Sequence, residues 1–163
     1  MSIPDFETRD VTEPLIEFVK TCPFLDKYHI SMDPVSVQLL ITDKPDGSAI
    51  DYVGSVMLSD YKDLIQKRYT ERQANFQIWL LRKSNHNPYR QEIADFLFNF
   101  EQWVEHCQAY GLAPKLSQTR EGRIEEVMEA SGGAYVAEWD GKESSLYAVQ
   151  ISIRYFNAYN EYI

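Results

Sequence analysis

A chain of 163 residues, 44% hydrophobic and 25% charged, suits one folded domain with a single core and leaves little room for two. No apolar run approaches the roughly 20 residues that cross a bilayer. The acidic start Met1-Ser2-Ile3-Pro4-Asp5-Phe6-Glu7 lacks the apolar centre of a secretory leader, so neither a membrane nor an export route is expected. Sixteen Lys and Arg against 25 Asp and Glu set the formal charge at −9, which argues against nucleic-acid binding by counterion release.

Leu15, Phe18, Val19 and Cys22 recur at i, i+3, i+4 and i+7 and predict a helix from Asp10 or Thr12 to about Thr21. Pro14 is tolerated in its first turn, and Pro23 ends it. A connection over 24–34, with a short strand at Tyr28-His29-Ile30 as an option, leads to a strand over 35–42 whose Val35, Val37, Leu39 and Ile41 share a face. Pro45-Asp46-Gly47 is a turn: proline presets φ, aspartate caps and glycine takes the awkward dihedral. A partner strand follows over 50–58, weakened by Gly54, and 59–65 reads equally as a helical turn or a loop. The clearest strand covers 67–83, with Ala74, Phe76, Ile78 and Leu80 as its core face. Its other face begins polar at Asn75 and Gln77 and turns apolar at Trp79 and Leu81, which predicts cover on both faces near that end.

The main helix is expected from Pro88 to about Tyr110, with Asn87 as N-cap and Gly111 as C-cap. Its apolar stripe is Ile93, Phe96, Leu97, Phe100, Val104 and Cys107, with Trp103 at the edge. The last third reads as an antiparallel meander: a strand over 123–130, a turn or bulge at Ser131-Gly132-Gly133, a strand over 134–139, a turn at Asp140-Gly141 and a closing strand over 145–156. Residues 157–163 form a tail. The order predicts one α+β domain: a mainly antiparallel sheet with an N-terminal helix and one long central helix packed on it.

Chemistry is sparse. His29, His86 and His106 lack any metal-ligand spacing, and no phosphate-cradling glycine motif or GxSxG occurs. Cys22 and Cys107 sit at apolar helix positions and read as buried free thiols. Glu125, Glu126 and Glu129 lie among polar neighbours and read as a solvated face. No catalytic residue, metal or cofactor is therefore expected, and the chain is not read as an enzyme. The charge is uneven, however. Residues 67–83 hold Lys67, Arg68, Arg72, Arg82 and Lys83 against Glu71, while 121–143 hold seven acids against Arg123 and Lys142. These are two solvated faces or a complementary pair on neighbouring subunits. Tyr155, Phe156, Tyr159 and Tyr162 crowd the C-terminus, where tyrosines suit a subunit contact.

The strand Arg72-Gln73-Ala74-Asn75-Phe76-Gln77-Ile78-Trp79-Leu80-Leu81, the long helix after it and the closing strand Tyr147-Ala148-Val149-Gln150-Ile151-Ser152-Ile153-Arg154-Tyr155 form a pattern. It resembles the minor capsid and tail terminator proteins of tailed phages of Gram-positive bacteria, in element order and in the texture of the strands. The likeness runs from about Asp10 to Tyr155; the acidic Glu125 to Glu129 strand and the tail after Tyr155 have no counterpart in it. The resemblance implies a structural virion protein, assembled in the bacterial cytoplasm and located in the tail or neck. It implies a ring, usually a hexamer, that stops tail-tube growth and meets the head connector or neck proteins, and in contractile particles the sheath as well. DNA would pass through an acidic bore without specific binding. A closed ring needs unlike patches on one chain, so Lys67, Arg68 and Arg72 of one copy are expected to face Glu125, Glu126 and Glu129 of the next, with Tyr155 and Tyr159 as further contact residues. A head-side neck protein, an acidic inhibitor that mimics DNA and a small α+β enzyme are the competing readings.

Overall fold

The computed structural model describes residues 8, 10–28, 30, 32, 47–62, 64, 67–82, 87–114, 127–131, 136–138 and 145–160. The elements in order are α1 (Thr12–Lys20), β1 (Gly47–Lys62), β2 (Lys67–Arg82), α2 (Asn87–Ala109), β3 (Val127–Ser131), β4 (Val136–Glu138) and β5 (Ser145–Asn160). They make an α+β fold around one antiparallel sheet of order β1-β2-β5-β3, with β4 also paired to β5. The expected strand over 35–42, the turn before Gly47, Glu125, Glu126 and the final three residues lie outside the described residues.

Both helices cover one face of the sheet. Ala74, Phe76, Ile78 and Leu80 on β2 stand directly opposite Ile153, Ile151, Val149 and Tyr147 on β5, and all eight are buried. From α2, Ile93, Phe96, Leu97, Phe100, Val104 and Cys107 fill the same core, and from α1 Leu15, Phe18 and Val19. Phe18 stacks on Trp103 with ring centroids 4.8 Å apart, which ties the two helices together. The connection after α1 also lies on α2: Phe24 and Tyr28 meet Phe96 edge-on, and Asn99 donates to Tyr28 Oη at 3.1 Å. Residues 23–28 are turns, so the optional strand starting at Tyr28 does not form there.

Helix α2 ends where Gly111 takes a left-handed φ of +71°. The Leu112 N–H then donates to the Cys107 carbonyl at 2.8 Å and the Gly111 N–H to the Gln108 carbonyl at 3.1 Å, so the last turn's carbonyls are satisfied. The predicted C-cap is therefore in place.

Three sequence expectations need correction. Residues 59–62 are strand, neither helical turn nor loop: Ser59, Asp60, Tyr61 and Lys62 pair with Glu71, Thr70, Tyr69 and Arg68. The first four residues of the expected tail also belong to the sheet, since β5 runs on to Asn160 against Lys67. The last third is not a meander. Strands β3 and β4 lie along the same edge of β5, β3 opposite 150–154 and β4 opposite 145–147. They are two pieces of one interrupted strand. Four residues separate Ser131 from Val136 where only two separate Tyr147 from Gln150, so the interruption carries two extra residues. Gly132 and Gly133, read from sequence as a turn or a bulge, fall in that gap and lie outside the described residues.

Strands β1, β2 and β5 each have 16 residues, about 53 Å of extended chain. That exceeds the length of core available. The reason is visible in the alternation: the phase of β2 that buries Ala74 to Leu80 carries Arg68, Thr70 and Arg72 further back, and the phase of β5 that buries Tyr147 to Ile153 continues as Tyr155, Asn157 and Tyr159. The sheet consequently runs on beyond the helix-packed residues 74–80 and 147–153 as an arm, made of 55–62, 67–73 and 154–160, in which Thr70, Phe156 and Asn157 are still buried.

Candidate interaction surface

The arm is where the structure gathers most of the residues singled out by charge and aromaticity. Arg68 stands opposite Tyr159 and Arg72 opposite Tyr155, and Lys67 opposite Asn160. Thr70 and Asn157, directly opposed and buried, are flanked along their strands by Arg68 and Arg72 and by Tyr155 and Tyr159. Glu129 lies on β3, across β5 from this group, at the level of Ser152.

Arg68 is engaged within its own hairpin. Its Nε and Nη2 donate to the two Asp60 carboxylate oxygens at 2.9 and 2.8 Å, a bidentate ion pair at the surface. These charge-assisted bonds hold the Asp60 carboxyl below the usual carboxylate range. Arg72 donates to Ser55 Oγ at 3.2 Å and points its other guanidinium nitrogen at Met57 Sδ, 3.8 Å away. Arg68 thus brings its own counter-ion, whereas the Arg72 contacts given by the hairpin are to neutral groups. Tyr155 is half-buried against the core, and Tyr159 is exposed. Of the two tyrosines, Tyr159 has the surface a contact residue needs.

Sequence patterning missed the main feature of β1. Tyr52, Val53, Val56, Met57, Leu58 and Tyr61 of β1 are all exposed, as is Leu64 between β1 and β2. The cause is two register shifts. Pairing steps from Tyr52–Phe76 to Gly54–Asn75, which leaves Val53 as an extra residue, and from Met57–Arg72 to Ser59–Glu71, which leaves Leu58 extra. Both extra residues are large and apolar. Gly54, at a φ of +111°, supplies the backbone conformation at the first shift. In sequence Gly54 reads only as a weak point of the 50–58 strand; the legible signal is that apolar residues between 52 and 61 fall on both phases.

The opposite, helix-free face of the sheet is polar at its centre. Asn75 Oδ1 accepts from Gln73 Nε2 at 2.8 Å, from Ser152 Oγ at 2.8 Å and from Gln150 Nε2 at 3.3 Å. This network spans β2 and β5 and satisfies side chains that are half-buried or, for Ser152, buried. Toward the start of β1 the same face becomes covered: Ala49 and Ala148, which flank Trp79 on the neighbouring strands, are fully buried, in line with the predicted two-sided cover. Toward the arm it carries Tyr61 stacked on Tyr69, centroids 5.3 Å apart, and the Ser59 hydroxyl donating to Glu71 at 3.3 Å.

The thiols are placed as their helix positions predict. Cys22 and Cys107 are buried and free, and burial pushes the Cys22 thiol up to about 11 and the Cys107 thiol upward. His106 packs on Tyr110 at 4.7 Å. Among the described residues no group of three or more His, Cys, Asp or Glu is placed to hold a metal ion, and no helix is long and apolar enough to cross a membrane. The sequence matches no protein-family model and no curated protein.

Proposed function

We propose that this chain is a structural virion protein, a tail terminator whose copies form a ring at the end of the tail tube and join it to the head or neck. The observation that carries the reading is the arm: beyond the part of the sheet that packs on the helices, the outer strand β1 presents Val56, Met57, Leu58 and Tyr61 as exposed apolar residues. A folded domain that maintains such a surface does so for an assembly partner. Ring closure asks for two unlike patches on one chain, and the apolar, cationic arm differs from the acidic remainder of a molecule with a net charge of −9. The texture of β2, α2 and β5 is the one that resembles tail terminator and minor capsid proteins, and a ring of six such acidic subunits would offer passing DNA a repelling bore. Its partners are further copies of itself, the tail tube, the head connector or neck, and the sheath in a contractile particle.

The test is genetic and structural. Particles assembled without the chain are expected to carry tubes of irregular length that do not join to heads, and adding the purified protein to tubes arrested before joining should restore joining. Tails of normal length and full joining in its absence would overturn the reading.

A further inference from the structure

We propose that the arm docks on the outward stripe of helix α2 of a second copy of this chain, so that Met57, Leu58 and Leu64 meet Phe98 while Arg72 and Lys62 meet Asp95 and Glu105. This inference rests on the ring reading above and names the contact that repeats around it.

Two surfaces of opposite character carry the argument. The arm is apolar and cationic: residues 55–62, 67–73 and 154–160 hold Lys62, Lys67, Arg68, Arg72 and Arg154 against Asp60 and Glu71, and Asp60 is taken up by Arg68. The second surface is the side of α2 that the core leaves outside. Gln91, Asp95, Phe98, Gln102, Glu105 and Ala109 follow one another at steps of four and three and are all exposed, so they form one stripe down the helix. Phe98 is 64% exposed, and Tyr110 and Leu112 at the helix end are 71% and 64% exposed. An aromatic ring standing in water between two carboxylates is the complement of an apolar strand that carries guanidinium and ammonium groups. The lengths also match: the eight residues 55–62 extend about 26 Å, within the roughly 34 Å of the 23-residue α2.

The meeting is intermolecular. Ile93, Phe96, Phe100 and Val104 turn the inner side of α2 onto the sheet, so its outer stripe faces away from the sheet to which the arm belongs. An arm-to-helix contact joins unlike patches, is heterologous and can close a ring. Charge alone would allow Glu125, Glu126 and Glu129 as the acidic side. Phe98 decides for α2, because the arm must bury apolar side chains as well as pair its cations.

Sedimentation velocity of the full chain over a range of concentrations tests this. The wild-type chain should self-associate. Leu58→Ser, Phe98→Ser and Arg72→Glu should each weaken association about tenfold or more, with circular dichroism and melting unchanged because all three side chains lie outside the core. The pair Asp95→Lys with Glu105→Lys should weaken it similarly, and adding Arg72→Glu to that pair should restore most of it. Glu126→Lys with Glu129→Lys should leave it unaltered. Mixing a Leu58→Cys chain with a Phe98→Cys chain should give mixed disulfide dimers in preference to Leu58→Cys pairs. A chain monomeric at every concentration, association indifferent to the arm and helix variants, absence of rescue, or arm-to-arm disulfides would each overturn the contact. Rings that persist in the variants would remove this interface while leaving the terminator reading, and normal particles lacking the chain would remove that reading while leaving the interface.

Discussion

At Asp60 a single geometric fact determines a titration. Two hydrogen bonds from the Arg68 guanidinium favour the ionised carboxylate, so its pKa lies below the ordinary aspartate value. A carboxyl whose folded pKa is depressed contributes stability above its unfolded pKa and loses that contribution as pH falls through the folded value. The hairpin end should therefore hold its pairing at neutral pH and loosen only in acid, below the usual aspartate range. A carbon-detected NMR titration of the Asp60 carboxyl should show a midpoint below that of a free aspartate, and Arg68→Met should bring it back up. A midpoint unmoved by that substitution would remove the pair from the account. Because both groups are surface groups, the effect on global stability is small. Its role is local: it keeps Arg68 in one orientation on the arm. Ser48 presents the opposite case, a fully buried side chain whose Oγ has no hydrogen-bond partner among the described residues, at the start of the same strand.

At the scale of elements, the two register shifts of β1 decide which side chains the arm displays. Gly54 has open space where a Cβ would stand, yet its φ of +111° is one that L side chains rarely adopt. Gly54→Ala should consequently cost about 1–3 kcal/mol through backbone strain alone, read as a lowered denaturation midpoint without a change in slope. If the strand instead relaxes into strict alternation, Val53 returns to the ladder and β1 loses part of its exposed apolar row. The helices are less delicate. The long apolar stripe of α2 announced itself by spacing, and Gly111 ended it as glycine should. The shape of the last strands was less legible. Val127, Glu129 and Val136 look like parts of separate strands, and nothing local in them says that both segments pair with the same edge of β5.

For the whole molecule, the consequence of the fold is a gradient of support. One half of the sheet packs against α1 and α2 through Phe76, Ile78, Val149 and Ile151, whereas in the other half the buried side chains among the described residues are few, Thr70, Phe156 and Asn157, and the outer strand β1 is exposed. Opening free energies follow buried apolar contacts. Native-state hydrogen exchange of the unassembled chain should therefore find the amides of Phe76, Ile78 and Leu80 protected to near the global limit. Those of Tyr61, Tyr69 and Glu71 should exchange far faster, and that difference should shrink on assembly. Uniform protection along β2 in the unassembled chain would count against an arm with its own stability.

The residues themselves determined that α1 and α2 form, where Gly111 stops the second, that β2 and β5 turn the faces of Ala74 to Leu80 and Tyr147 to Ile153 inward, and that the two thiols lie in the core. Periodicity states these because each depends on neighbours three, four or two positions away. Three things only the tertiary structure decided: the pairing of β1 as far as Lys62, the continuation of β5 to Asn160, and the exposure of Val53 and Leu58. Strand ends are set by the partner across the ladder, and a bulge is a mismatch between two strands. Neither is a property of one segment, so an apolar residue on a strand reads as core until the fold shows which side it leaves uncovered.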